Sequence, residues 1–423
     1  MHGWGVDAGV DPHVRRRPVR VSTRVTDPSP RRLNTVKRLR KFAFALVVVA
    51  VGGGTSLLCG AGVAPAAGTA SPWPMAMHDA SHSSTSSAEG PQTGTILWTR
   101  DLGGNVTPSP VVGSDGTIYL ASNAGVLHAL DPTTGADRWT FDGRGPFGGE
   151  TDLSTSPLVL PSGSILWPGP GHVLYELSSA GDEVWSHTFT GNLLSPVRVG
   201  STVYVVSMSG SVSALRVSGP VPEVAWTLGI GHRSFGAPVV GHDGQVVTTV
   251  DKSVVAVSDH GSQGRIAWRH RLDSEIEVSP SLDARGDVFV TTDDGSVYAF
   301  SPAGHLRWHE RVGVESYSSS SVDSGRLLYF GDNRGVLHVL QVSTGHQVTH
   351  HRLGTRGLWG GQAFDHNGDV YTGTQSGAIV GLDAKGHQLF RVQATGPIDS
   401  YPAITGTGVL IVGDQSGRVY AIG

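Results

Sequence analysis

The chain has 423 residues, among them 59 glycines and 24 prolines, with 38% hydrophobic and 16% charged side chains; this excludes a coiled coil or charge-rich disorder and points to many short strands joined by turns. A single cysteine, Cys59, excludes an intramolecular disulfide and any Cys-based zinc site. The net charge of −4 is uneven: residues 1–70 hold 11 Lys/Arg and 3 Asp/Glu, leaving 20 basic against 32 acidic side chains in the body, which argues against nucleic acid as a partner.

Residues 1–35 read as a disordered basic N-terminus or a start placed too far upstream. In residues 36–70, Lys37, Arg38, Arg40 and Lys41 precede the apolar run Phe42 to Val51, the two regions of an export signal. Small residues permit cleavage after Ala66 or Ala70. The uncharged stretch, about 20 residues, is also long enough to stay as a membrane anchor. Cys59 is a candidate for lipidation, although Leu58 stands where a lipobox has a small residue. In each case the positive flank sends the acidic body out, to be secreted or held at the outer face of the cytoplasmic membrane through this segment alone. Residues 71–94 read as a leader or linker.

From residue 95 the chain repeats. Trp98, Trp139, Trp185, Trp226, Trp268, Trp308, then Thr349 and Phe390, recur at spacings of 41, 46, 41, 42, 40, 41 and 41. Such a period is one supersecondary unit. Six units open on a residue followed by proline, small in five (Ser109-Pro110, Ser156-Pro157, Ser195-Pro196, Ala237-Pro238, Ser279-Pro280) and tyrosine in Tyr401-Pro402, and the units then have β runs parted by a glycine turn. A small or apolar pair such as Ala129-Leu130 or Ala421-Ile422 ends the third run eight times. The first tryptophan strand lacks preceding strands and the last unit lacks a tryptophan strand. The spacing therefore predicts an all-β, eight-bladed propeller of four-stranded antiparallel blades over 95–423, closed by the N-terminal strand pairing into the last blade, as a monomeric ring.

The stretch Ala129-Leu130-Asp131-Pro132-Thr133-Thr134-Gly135-Ala136-Asp137-Arg138-Trp139 resembles the docking motif of quinoprotein-type (PQQ-like) propellers, and Trp73-Pro74-Met75-Ala76-Met77-His78-Asp79 resembles the leader of exported members. The resemblance implies that Trp98, Trp139, Trp185, Trp226, Trp268, Trp308 and Phe390 dock neighbouring blades, with Thr349 marking the weakest junction. It extends to BamB-type outer-membrane assembly lipoproteins. It implies an exported, non-catalytic scaffold that presents one ring face to an envelope protein or polymer and needs no cofactor. Its alternative is a dehydrogenase of alcohols or sugars using pyrroloquinoline quinone (PQQ) and Ca²⁺. The lack of a cysteine pair and of large inserted loops favours the scaffold. A third reading is a surface sensor or adhesin that uses the long loop 143–152.

Residues about four before each blade opening are expected around the channel mouth: Asn105, Asp152, Gly191 with Asn192, Arg233, Glu275, Glu315, Gly357 with Trp359, and Pro397 with Asp399. Four carboxylates facing one arginine read as an acidic vestibule for a cation or polar ligand; a solvated loop rim would carry the same residue types. Glu150 joins Asn105 and Asp399 as an oxygen donor for the calcium alternative. His78 with His82, and His346 with His350 and His351, read as exposed turn histidines. No catalytic residue and no metal ligand is assigned.

Overall fold

The computed structural model describes residues 71–144, 155–312, 314–324 and 326–423. Cys59, the export segment, Glu150 and Asp152 lie outside them. Among the described residues, eight antiparallel sheets of four strands follow one another. The first runs outward from Val111–Val112 through Ile118–Ser122 and Val126–Leu130 to Asp137–Asp142. The eighth takes Ala403–Ile404, Leu410–Gly413 and Arg418–Ile422 from the C-terminus and its outermost strand, Ile96–Asp101, from the N-terminal side. This is an eight-bladed β-propeller, closed as the leftover strands predict.

Burial explains why these runs form blades. The two middle strands, Ile118–Ser122 and Val126–Leu130, are buried on both faces between neighbouring sheets, whereas the outermost strand alternates between exposed and half-buried positions. The small or apolar pair that recurs in sequence marks a shared device. Every blade has a register shift between its third and fourth strands at that pair, as where Ala129 faces Trp139 but Leu130 faces Asp137. The extra residue twists the outer strand just before the aromatic position. In six blades the facing residue is Ala or Gly, which leaves room for the ring, whereas Glu176 faces Trp185 and Val339 faces Thr349.

Those rings reach the next blade. The indole Nε1 of Trp98 donates to Pro132 O, that of Trp139 to Ser179 O, that of Trp268 to Pro302 O and that of Trp308 to Val342 O, at 2.8–2.9 Å. Trp226 donates instead to the Asp259 carboxylate at 2.9 Å. The turn beneath requires glycine twice over: Gly135 has φ +69°, and a Cβ there would lie 2.4 Å from the Trp98 ring. Where Thr349 replaces tryptophan, the side chain facing the next turn is His351, against Gly386.

Residues 71–94 run along the inner strands. Backbone amides of Val112, Val159, Val240, Leu282 and Phe364 donate to the carbonyls of Trp73, Pro74, Ala80, Ser81 and Ser84, at 2.7–2.9 Å. Ser86 N returns a bond to Phe364 O, and Gly90 N donates to the Asp365 carboxylate. Each bonded amide lies three residues past its blade's opening position, on the free edge of the innermost strand. The leader thus pairs edge groups of blades one, two, four, five and seven that would otherwise lack a partner. Trp73 is wholly buried, as nearly are Met75, Ala76 and Met77. Its first residues thus join the core.

Candidate functional site

The site follows from the first residues of each inner strand. Ser109 N donates to Ser156 Oγ, Ser156 N to Ser195 Oγ, Ala237 N to Ser279 Oγ and Ser279 N to Ser319 Oγ, at 2.8–3.0 Å. An opening serine thus satisfies the backbone of the blade before it. This belt lines a central cavity of about 260 Å³, with Ala76 and Met77 of the leader also in its wall. Because the leader binds the inner strands three residues beyond the belt, these two residues form the floor. The cavity opens at the loops that lead into the inner strands.

The mouth is built from residues two before the openings: Thr107, Phe235, Glu277, Tyr317, Trp359 and Asp399 all line it. Glu277 and Ser279 face the same space. Of the residues expected there, Trp359 and Asp399 do line it. Residues four before stand farther out. Arg233 and Glu275 line an adjoining groove with Lys252 and Arg271, and Glu315 lines a shallower depression with Asp293, Asp294 and Asn333. Asn105 is exposed and holds Asn123 N through its backbone carbonyl, 2.9 Å away. Counting back two residues rather than four would have found Phe235, Glu277 and Tyr317 in the sequence.

Carboxylates crowd one another around the mouth. Burial, followed by repulsion from Glu277, Glu275 and Asp294, pushes Asp293 up to about 6. Burial also raises Asp399, whose oxygens accept from the side-chain amides of Gln375 and Gln415. Tyr317 is raised by burial, with Asp293, Glu315 and Glu277 adding to it. Lys252 pairs with Glu275 at 3.6 Å and Arg311 with Asp294 at 3.9 Å, both in the outer grooves.

Comparison with known proteins places this arrangement. The family described as "Outer membrane protein assembly factor BamB" matches residues 84–219, 222–358 and 334–423. The chain belongs to this family of PQQ-like propellers. It is 26% identical over 348 residues to the outer membrane protein assembly factor BamB of Yersinia pestis, across 72% of this chain and 81% of that protein. It is 36% identical over 118 residues to the BamB of Burkholderia pseudomallei, across 28% of this chain and 29% of that one. Among solved structures, BamB from Moraxella catarrhalis superposes with a TM-score of 0.60 at 13% identity, covering 77% of this chain and 98% of that one. The quinohemoprotein alcohol dehydrogenase of Comamonas testosteroni superposes with a TM-score of 0.67 at 14% identity, covering 82% and 80%. These two superpositions show a shared fold.

Of the oxygen donors expected for PQQ with Ca²⁺, Asp399 lines the cavity, Asn105 lies outside its lining and Glu150 lies outside the described residues, so the described residues bring no calcium ligand set together. Among the described residues no three His, Cys, Asp or Glu side chains are placed to hold a metal ion. The histidines read as exposed turn residues divide: His346 is exposed, whereas His82 is buried, with Nδ1 2.9 Å from Pro280 O.

Proposed function

We propose that this chain is an exported, non-catalytic scaffold propeller of the cell envelope. It presents the mouth face of its ring to a protein partner and serves the assembly of outer-membrane proteins, the task named for its relatives. The observation that carries this reading is the BamB-family match, which spans residues 84–423. The mouth adds support, since it sets carboxylates beside aromatic rings on one face of the ring. Fixed polar groups on a rigid scaffold select a partner by charge.

Site-specific photocrosslinking in the host tests the proposal. A crosslinker replacing Glu315, on the mouth face, is expected to capture an envelope protein. One replacing the exposed His387, in a turn on the opposite face, is expected to capture none. Equal capture from both faces, or none from Glu315, would refute a mouth-face scaffold.

A further inference from the structure

The central cavity is acidic and aromatic, with Met77 and Ala76 of the leader in its wall. At the mouth, the rings of Tyr317 and Trp359 stand perpendicular, with centroids 5.8 Å apart. Their faces form a corner. Trp359 is held by Nε1 donating to Asn333 Oδ1 at 2.7 Å, and a Cβ on Gly357 would lie 2.4 Å from that nitrogen, so the indole's pose depends on a glycine beneath it. Phe235 forms a further wall, and its ring already carries the chain's own Arg233 guanidinium 4.8 Å from its centroid, from the adjoining groove.

Glu277 and Asp399 supply negative charge beside these rings, and no Lys, Arg or His is among the described residues that line the cavity. The elevated Asp293 nearby sits among the same crowded carboxylates, and its Oδ1 is buried without a hydrogen-bond partner. Aromatic faces attract cations through the ring quadrupole, most strongly at tryptophan, and the attraction grows when the cation is desolvated. A metal ion would need ligand groups that the described residues do not offer. An organic cation needs ring faces and a carboxylate within reach, and the mouth has both.

We propose that the mouth is a cage for one organic cation, an ammonium or guanidinium group received end-on between Trp359, Tyr317 and Phe235 and neutralised by Glu277 and Asp399. The cage deepens the scaffold reading by naming what the mouth takes: a basic side chain displayed by the protein partner. Free cations test it without that partner, so its failure and the failure of the scaffold are separable.

The experiment is calorimetric titration of the purified chain with N-acetyl-arginine amide, an arginine-containing tripeptide, choline, and the neutral isostere N-acetyl-citrulline amide. Saturable binding of the cations, absent for citrulline, is expected. Trp359→Ala and Glu277→Gln should each weaken it about tenfold, and Trp359→Phe, which keeps a ring face, should weaken it less. Trp359 is 39% exposed, so these variants leave the core intact. Tighter binding of the arginine ligands supports a displayed side chain; tighter binding of choline supports the cage but contradicts the displayed side chain as its occupant. No cation binding up to about 10 mM, equal binding of citrulline, or affinity untouched by the variants would overturn the cage.

Discussion

Asp293 is a residue whose charge works against the fold. Burial and the nearby Glu277, Glu275 and Asp294 raise it from 3.8 to about 6, so between those values the native state binds more protons than the unfolded chain. Stability therefore falls as pH rises through that window. Asp293→Asn is expected to raise the melting temperature at pH 7–8 and to have no such effect at pH 4, as thermal melts across pH would show. His82 has the opposite sign. Burial lowers it from 6.5 to about 4, so the unfolded chain takes up its proton first and stability falls as pH drops through that interval. Melts of His82→Gln should lose this part of the acid sensitivity. At this scale the sequence was partly legible. Trp359 and Asp399 were found beside their blade openings, but Phe235, Glu277 and Tyr317 were missed, because a loop shows no alternation until the inner strand's direction is known.

Among the elements, the leader holds the most surprising position. Its carbonyls pair the free edges of inner strands in five blades, and four of its non-glycine residues, Met77, His78, His82 and Ser84, take φ between +53° and +80°. Such backbone persists only where surrounding bonds over-determine it. Trp73→Ala is expected to cost about 3–5 kcal/mol in chemical denaturation, because it empties a fully buried site. A loss below about 1 kcal/mol would show that the leader is dispensable to the core. The sequence showed the leader's motif but not its place, since an unpaired edge appears only once strands are assembled. The outer strands were more legible: the recurring small or apolar pair before each aromatic position is where every blade carries its bulge.

At the scale of the whole molecule, the fold was legible because ring closure is arithmetic. One strand was left over at the start and one was lacking at the end, and Ile96–Asp101 pairs with Arg418–Ile422 to join them. Function was less legible, because a propeller serves many tasks and only its mouth distinguishes them. The family match favours a scaffold over a dehydrogenase. The most direct test is the outer-membrane protein content of a host lacking this chain, measured by quantitative proteomics beside PQQ-dependent alcohol oxidation. Depletion of outer-membrane β-barrel proteins, restored by the chain and with oxidation unchanged, is the expected result. Unchanged barrel content together with lost oxidation would contradict the account.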